Sequence, residues 1–289
     1  MKTKRAALAL SALMTLAAMP AHAIDVAPGD YAIMPSGTNI GLLYFQHQSS
    51  GTFEIGGGKV PDSKIEANVM VLRGLHYSQA FGMPALYQAV LPVVGFESAR
   101  IGGADMPKAQ GIGDLTLGFS VWPVQPSNPE TGTTLGLTAF LTAPTGNYDA
   151  AKVSAGSGTW TLTPQIGLIQ GLGGGFYLDM VADVALTRDH TENGDKIERS
   201  PAPQVQAYLR KQFGQKTSVS FGMSSQRGGK VKVNGVDTGQ RTERDQLRLY
   251  ANTFVSPTLQ VQGMLAKDVH VDGGFKNDYV AELRLLKVF

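Results

Sequence analysis

Cysteine is absent from the 289 residues of this chain. Disulfides, thiolate metal ligands and a cysteine nucleophile are therefore excluded. The net charge is only +2, so the chain carries no basic excess of the kind that binds nucleic acid, and we expect no nucleic-acid partner. Long apolar runs are also lacking after residue 23, which excludes a membrane protein built from helices. What remains is either a soluble all-β protein or a membrane β-barrel.

The amino terminus has the pattern of an export signal. Residues 2–5 carry three positive charges, and residues 6–18 form an apolar stretch. Ala21-His22-Ala23 then supplies a small-x-small cleavage site. The apolar stretch is too short to span a bilayer as a helix, which takes about 20 residues. We therefore expect residues 1–23 to be a signal peptide, cleaved after Ala23.

The rest of the chain alternates between apolar and polar residues. From Phe176 to Leu186, the even-numbered residues are all apolar, whereas Asp179 and Asp183 are among the odd-numbered ones. A period of two places successive side chains on opposite faces of a sheet. About twelve such segments occur, each close to the length that a tilted strand needs to cross a bilayer. They are residues 37–48, 66–79, 84–94, 112–122, 133–143, 159–170, 175–188, 202–213, 216–227, 243–255, 258–268 and 277–289.

The connections between these segments alternate between short and long. Short turns are expected at 80–83, 171–174, 214–215 and 256–257, with a longer one at 123–132, and long polar loops separate the other pairs. This alternation predicts an all-β fold, a transmembrane up-and-down antiparallel β-barrel with short periplasmic turns and longer extracellular loops. Residues 37–289 would form the barrel. Residues 24–36 would form a short periplasmic segment, too short for a plug domain but able to fold into the lumen.

The last segment ends the chain on an aromatic residue. Tyr279, Leu283 and Phe289 share one face, with Lys287 as a polar departure from the apolar pattern. A terminal Phe on such a strand resembles the recognition signal of outer-membrane barrels. We therefore expect Phe289 to be read by the barrel-assembly machinery of a Gram-negative cell. Outer-membrane lipid and lipopolysaccharide would be the surrounding partners, and the cell outer membrane the location.

Three stretches resemble a known family. They are Gly111-Ile112-Gly113-Asp114-Leu115, residues 143–149 (APTGNYD) and residues 158–165 (GTWTLTPQ). They are similar to the outer-membrane proteins named for phenol degradation by meta-cleavage, which are described as transporter-like. The resemblance implies a closed β-barrel that passes small hydrophobic or aromatic compounds, and it implies no functional residues. From the residues themselves, glycine and proline here are expected to shape turns, and Trp122, Tyr148 and Trp160 to join an interfacial aromatic girdle.

No catalytic or metal-binding constellation is visible. The four histidines after residue 23 have no acidic partner pattern, and we expect lumen or rim positions for them: His47, His76, His190 and His270. The chain is therefore expected to have no catalytic, cofactor-binding or metal-binding residues and to need no cofactor. Charged or polar side chains on the predicted inner faces are candidates for lining or constricting a lumen. They are Asp179, Asp183, Tyr208, Arg210, Arg248, Glu282 and Arg284.

Two interpretations of these lumen residues remain open. They could simply pair and fill a narrow barrel, or they could form a polar constriction that selects solutes. We expect Asp179 and Asp183 to face Arg210, and Arg248 to approach Glu282 or Arg284. The favoured function is an outer-membrane channel for passive uptake of small, hydrophobic or aromatic organic compounds. The alternatives are an outer-membrane lipid-modifying enzyme and a structural or adhesion barrel without transport.

Overall fold

The structure, a computed structural model, describes residues 25–289. The predicted signal peptide and its cleavage site after Ala23 lie outside the described residues. Residues 25–289 contain strands and turns and no helix. Accordingly, this described range holds no helix long and apolar enough to cross a membrane.

Twelve long strands form one antiparallel sheet that closes on itself. Each strand pairs with its neighbours along the chain, and the first strand also pairs with the last, through ten residue pairs from Ile40–Val288 to Ser49–Tyr279. Closure removes every free edge, which a sheet needs where no water can satisfy its backbone groups. The strands are β1 (Asn39–Ser50), β2 (Lys64–Ala80), β3 (Met83–Ile101), β4 (Thr116–Val124), β5 (Thr133–Thr142), β6 (Thr161–Gly173), β7 (Phe176–Thr187), β8 (Ala202–Phe213), β9 (Thr217–Gln226), β10 (Glu243–Ser256), β11 (Leu259–Asp272) and β12 (Tyr279–Val288).

Each strand falls on one of the segments predicted from the alternation, so the fold class is confirmed. The largest differences lie at the ends joined by long loops. β3 extends to Ile101 and β11 to Asp272, beyond the predicted ends at 94 and 268. β4 begins at Thr116 instead of residue 112, because residues 113–115 interrupt the pairing with β3, which residues 111–112 make at Val93 and Val94 and Thr116 resumes at Val90.

Short turns and long loops alternate as expected. The turn between β2 and β3 consists of Phe81 and Gly82, both with positive φ (54° and 75°), which matches the twist of a two-residue hairpin. The long loops carry small sheets of their own. These contain Thr52–Ile55, Gly58–Val60 and Gly274–Lys276; His190–Glu192, Asp195–Arg199, Val231–Val233 and Val236–Asp237; the parallel pair Lys108–Ala109 and Val153–Ser154; and Ala104–Asp105 and Gly111–Ile112, which pair with β3.

The outer face of the barrel is apolar and its interior polar. Exposed apolar side chains recur on successive strands, among them Met180 on β7, Leu209 on β8 and Leu249 on β10. Side chains at alternate positions are buried and largely polar, such as Gln206 and Arg248. In a soluble sandwich this order would be inverted, so the burial pattern is that of a barrel with lipid outside.

We predict that Met180→Arg hinders insertion of the barrel. Met180 lies on the lipid-facing side of β7 and is 40% exposed. An arginine at such a site costs about 2–4 kcal/mol if it lies at the bilayer midplane. The measurement is the folded fraction after refolding into liposomes. Val236→Arg adds the same charge at an exposed loop position and should fold normally. Normal insertion of Met180→Arg would contradict the assignment of the faces.

Candidate functional site: the barrel lumen

Residues 25–36, called here the lumen segment, lie inside the barrel. Backbone amides of the segment donate to inward-facing side chains, Val26 N to Gln206 (3.3 Å) and Gly29 N to Asp179 (3.2 Å). The Asp25 carboxylate lies 2.9 Å from Nη2 of Arg248 on β10. The sequence predicted a short periplasmic segment that could also fold into the lumen. The described residues lie within the lumen, because polar side chains on the inner faces of β7, β8 and β10 bind the backbone and the acidic groups of the segment.

Asp30 is the charged centre of the lumen segment. One carboxylate oxygen lies 3.0 Å from Nη1 of Arg73 on β2, and the other lies 2.8 Å from Nη1 of Arg284 on β12. All three side chains are largely buried. Removing one partner of such a buried pair leaves an uncompensated charge and is strongly destabilising. Asp30 therefore holds the segment against two strands that lie on either side of β1.

Tyr31 occupies a socket made by two glycines on neighbouring strands. A Cβ atom on Gly136 would lie 2.6 Å from the Tyr31 ring, and one on Gly167 would lie 2.2 Å from it. The Tyr31 hydroxyl donates a hydrogen bond to the side chain of Gln165 (2.9 Å). The backbone carbonyl of Tyr31 accepts a hydrogen bond from Nε1 of Trp122 (3.0 Å). Only glycine at positions 136 and 167 leaves room for the ring. The socket thus fixes the position of the segment across β5 and β6.

An apolar cluster surrounds the segment on the periplasmic side of the lumen. Trp122 is almost fully buried and stacks on Tyr77, with ring centroids 6.0 Å apart. It is therefore a lumen residue and not part of an outer aromatic girdle, because β4 turns its side chain inward. Tyr148 lies in a loop cavity, and Trp160 is exposed on the outer face. The cluster contains Val26, Tyr31, Ile40, Leu42, Tyr77, Leu86, Trp122, Ile169 and Val181.

Two of the predicted lumen residues form an ion pair. Nε of Arg210 lies 2.8 Å from Oδ2 of Asp179, and the guanidinium also lies over the ring of Tyr177, 4.3 Å from its centroid. Both charged side chains are largely buried. Tyr208 is buried and donates to Oε1 of Gln206 (3.0 Å). Their role in selecting solutes stays a prediction.

Two expected pairings are wrong. Asp183 does not face Arg210, because the register pairs Arg210 with Tyr177, six residues or about 20 Å along β7. Asp183 instead accepts from Nε2 of Gln165 on β6 (3.0 Å). Arg248 forms its ion pair with Asp25; Glu282 lies near Arg248, but β11 separates their strands and the two form no ion pair.

A cavity of about 360 Å³, called here the lumen chamber, lies above the segment. One wall is apolar and comes mainly from β2 and β3, including Val69, Val71, Val90, Pro92 and Val94. Charged side chains face it: Asp25, Asp30, Arg73, Arg248 and Glu282. Glu282 lines the chamber without a hydrogen bond or ion pair to any side chain within residues 25–289. The chamber therefore offers an apolar surface and a polar one to the same small molecule.

Two of the three stretches that resemble the known family meet at Asp114, together with Ser157, the residue before the third stretch. Its carboxylate accepts from the backbone N–H of Gly146 (2.9 Å) and from the N–H (2.7 Å) and hydroxyl (2.6 Å) of Ser157. A Cβ atom on Gly146 would lie 2.5 Å from the carbonyl carbon of Gly113, so these loops touch backbone to backbone. Asp114 and Ser157 also line the lumen chamber. The glycines thus shape turns as expected, and they do so at the loop end of the chamber.

The histidines are placed differently from the prediction in two cases. His47 lies on the outer face of β1 and contacts Asn68 (2.8 Å) and the Tyr279 hydroxyl (3.1 Å). His76 also points outward, because both residues occupy the lipid-facing phase of their strands. His190 and His270 lie at the loop end. No group of three or more possible metal ligands occurs within residues 25–289.

Solved structures place this fold among outer-membrane barrels. A COG4313 outer membrane channel from Pseudomonas putida F1 is similar over 92% of this chain and 100% of that chain, with 30% identity and a TM-score of 0.83. The β domain of the Bordetella autotransporter BrkA aligns over 87% and 99%, with 8% identity and a TM-score of 0.52, and shows the fold alone. No curated protein sequence matches this chain. The class is thus an outer-membrane β-barrel, and the findings support an outer-membrane channel.

The chain also matches one family model. Residues 49–285 fit the family described as the putative MetA-pathway of phenol degradation. The chain belongs to this family, as its three motif stretches predicted.

We predict that Gly167→Val displaces the lumen segment and raises single-channel conductance. The new side chain would overlap the Tyr31 ring, and overpacking of this kind costs about 1–3 kcal/mol. Gly74→Val is the matched control, because a Cβ there meets nothing within 4 Å. Conductance would be measured in planar bilayers on protein shown to be folded. Equal conductance of the two folded variants would mean that the segment does not limit passage.

We predict that Arg210→Ala makes the lumen more cation-selective. The change leaves the Asp179 carboxylate without its ion-pair partner, so the lumen gains negative charge. The reversal potential in a salt gradient would report the shift. Lys211→Ala removes the same charge from the adjacent residue, whose amine lies over the Phe176 ring, and should leave selectivity unchanged. No shift in Arg210→Ala would argue against a role for this pair in the pore.

Proposed function

We propose that this protein is a channel for passive uptake of small hydrophobic or aromatic organic compounds. The supporting observation is the lumen chamber, in which the apolar wall of β2 and β3 faces a charged wall. Sites for small molecules are commonly apolar with a few placed polar groups. Membership of a family named for phenol degradation agrees with such a solute.

The chamber has a suitable size for one ring compound. An apolar cavity of about 150 Å³ is enough to bind benzene. The chamber is more than twice as large, at about 360 Å³. A substituted ring could lie against Val71 and Val90 while a hydroxyl group reaches Arg73 or Glu282. Space would remain for water around the polar substituent.

Passage to the periplasm requires the lumen segment to move or to leave a path beside it. Residues Tyr31, Ile33 and Met34 fill the periplasmic half with apolar contacts. On the wall formed by β9 and β11, Ser220 and Gln262 have buried polar atoms with no partner among residues 25–289. Buried polar groups are normally satisfied by protein or ordered water. A hydrated strip on this wall is therefore the path that the proposal favours beside the segment.

Assembly and surroundings are part of the same proposal. Phe289 follows β12 and is 78% exposed, so an assembly factor can reach it. The apolar outer face would contact outer-membrane lipid and lipopolysaccharide.

Uptake into liposomes tests the proposal. Purified protein would be reconstituted, and entry of labelled aromatic and aliphatic compounds compared with entry into empty liposomes. We expect faster entry of aromatic compounds, reduced to nearly the empty-liposome rate by Val71→Trp, which fills the chamber. Leu72→Trp places the same side chain on the lipid face of the same strand and should leave uptake unchanged.

A negative uptake result would favour one of the alternative functions. If folded protein admits no compound, the channel proposal is wrong. A lipid hydrolysis assay on the same sample would then separate a lipid-modifying enzyme from a structural or adhesion barrel.

A further inference from the structure

A second, smaller cavity lies between three extracellular loops, residues 143–160, 188–201 and 227–242. Its volume is about 30 Å³. A single water needs about 10–15 Å³ on the same measure, so this cavity holds about two oxygen atoms. Its lining includes Tyr148, Ser157, Thr159, His190 and Arg199.

Arg199 brings an uncompensated positive charge to this cavity. Its guanidinium forms no ion pair or hydrogen bond within residues 25–289, and Glu192, an acidic residue of the same loop, does not pair with it. Burial lowers the pKa of Arg199, opposed by the nearby Tyr148 hydroxyl. The guanidinium nevertheless stays charged at any physiological pH. A half-buried guanidinium without a carboxylate partner favours the binding of an anion.

His190 adds a second unsatisfied group. Its Nε2 atom is buried without a hydrogen-bond partner among the described residues, whereas the ring is hydrogen-bonded to the Arg188 carbonyl. The ring of Tyr148 meets it edge to face, with centroids 6.2 Å apart. Protonation would turn Nε2 into a donor beside the Arg199 guanidinium.

The serine and threonine hydroxyl groups around the cavity are already engaged. Thr159 donates to the Arg188 carbonyl (2.7 Å), and Ser157 donates to Asp114 (2.6 Å). The half-buried groups left to bind a ligand are therefore Arg199, His190 and the Tyr148 hydroxyl. Ser157 lines both this cavity and the lumen chamber, so the two spaces are neighbours.

We propose that the loop cavity binds the carboxylate group of a small organic acid. The planar guanidinium fork matches a carboxylate through two parallel hydrogen bonds, and the cavity has room for two oxygens but not for a phosphate group. The body of the acid would extend towards the lumen chamber. This site does not require that the lumen conducts.

Isothermal titration of the full-length barrel in detergent with benzoate tests the proposal. We expect saturable binding that weakens at least about tenfold in Arg199→Gln, the usual consequence of losing a charge-assisted hydrogen bond. Arg227→Gln is the matched control, because Arg227 is an extracellular arginine already paired with Asp245 at 2.8 Å. Equal benzoate affinity of the wild-type protein and Arg199→Gln would overturn the proposal.

The pH dependence of binding supplies an independent readout. Burial lowers the pKa of His190; Glu192, Asp189 and the Arg188 carbonyl raise it, and Arg199 lowers it. Without ligand the ring is therefore neutral at pH 7, and a bound carboxylate favours its protonated form. Benzoate affinity should rise several-fold between pH 7.5 and 5.5, where a carboxylate with a pKa of about 4 stays ionised. His190→Gln should abolish this rise, and a rise that persists in the variant would contradict the site.

Ligand choice separates a carboxylate site from other kinds of binding. Benzyl alcohol, which has the ring without the charge, should not bind in this cavity. Binding of phosphate or chloride as tight as that of benzoate would overturn the assignment to carboxylates. Uptake of neutral phenol should be the same in Arg199→Gln and wild-type liposomes, so loss of the channel function and loss of this site would be told apart.

Discussion

The pairing of Asp30 with Arg73 and Arg284 is the interaction on which the lumen depends. One carboxylate on an irregular segment forms ion pairs with two arginines from strands on either side of β1. Without Asp30, the charged side chains of Arg73 and Arg284 would lie unpaired in a lumen closed by an apolar cluster, and burying unpaired charges costs free energy. The same contact keeps Tyr31 in its glycine socket and Asp25 beside Arg248. The shape of the lumen chamber therefore depends on the contacts that fix the position of the lumen segment.

The need for such a segment arises from the number of strands. A closed barrel of about eight strands can be filled by its own side chains, whereas one of sixteen encloses an aqueous channel. Twelve strands lie between these cases. Here the inner side chains leave room for a stretch of main chain, whose amides are satisfied by Gln206 and Asp179. The lumen is thus divided into an apolar periplasmic half and an open chamber on the loop side.

Alternation predicted the strands and their faces because a period of two is a local property of the chain. The contact between Asp179 and Arg210 could also be predicted from the sequence, because the two residues lie on consecutive strands. Asp183 was paired wrongly with Arg210 because register depends on turns and bulges that alternation does not specify. The partner of Arg248 was missed because it is Asp25 of the lumen segment, and β11 separates Arg248 from the strand of Glu282 and Arg284. Arg73 and Asp30 were missed for two other reasons. The inner face of β2 is otherwise apolar around Arg73, and residues 25–36 have no period, so only contacts with distant strands place them.

The positions of the charges suggest how a largely apolar solute could be admitted without letting ions through freely. Arg73, Arg210, Arg248 and Arg284 are all ion-paired, with Arg73 and Arg284 sharing Asp30, so most of the positive charge on the lumen walls is balanced. Glu282 and Asp25 remain turned towards the lumen chamber, opposite its apolar wall. A neutral ring gains contact with that wall and needs no counter-ion. A small ion gains nothing from it and meets the apolar cluster below, so the proposed function predicts a lower barrier for the ring than for the ion.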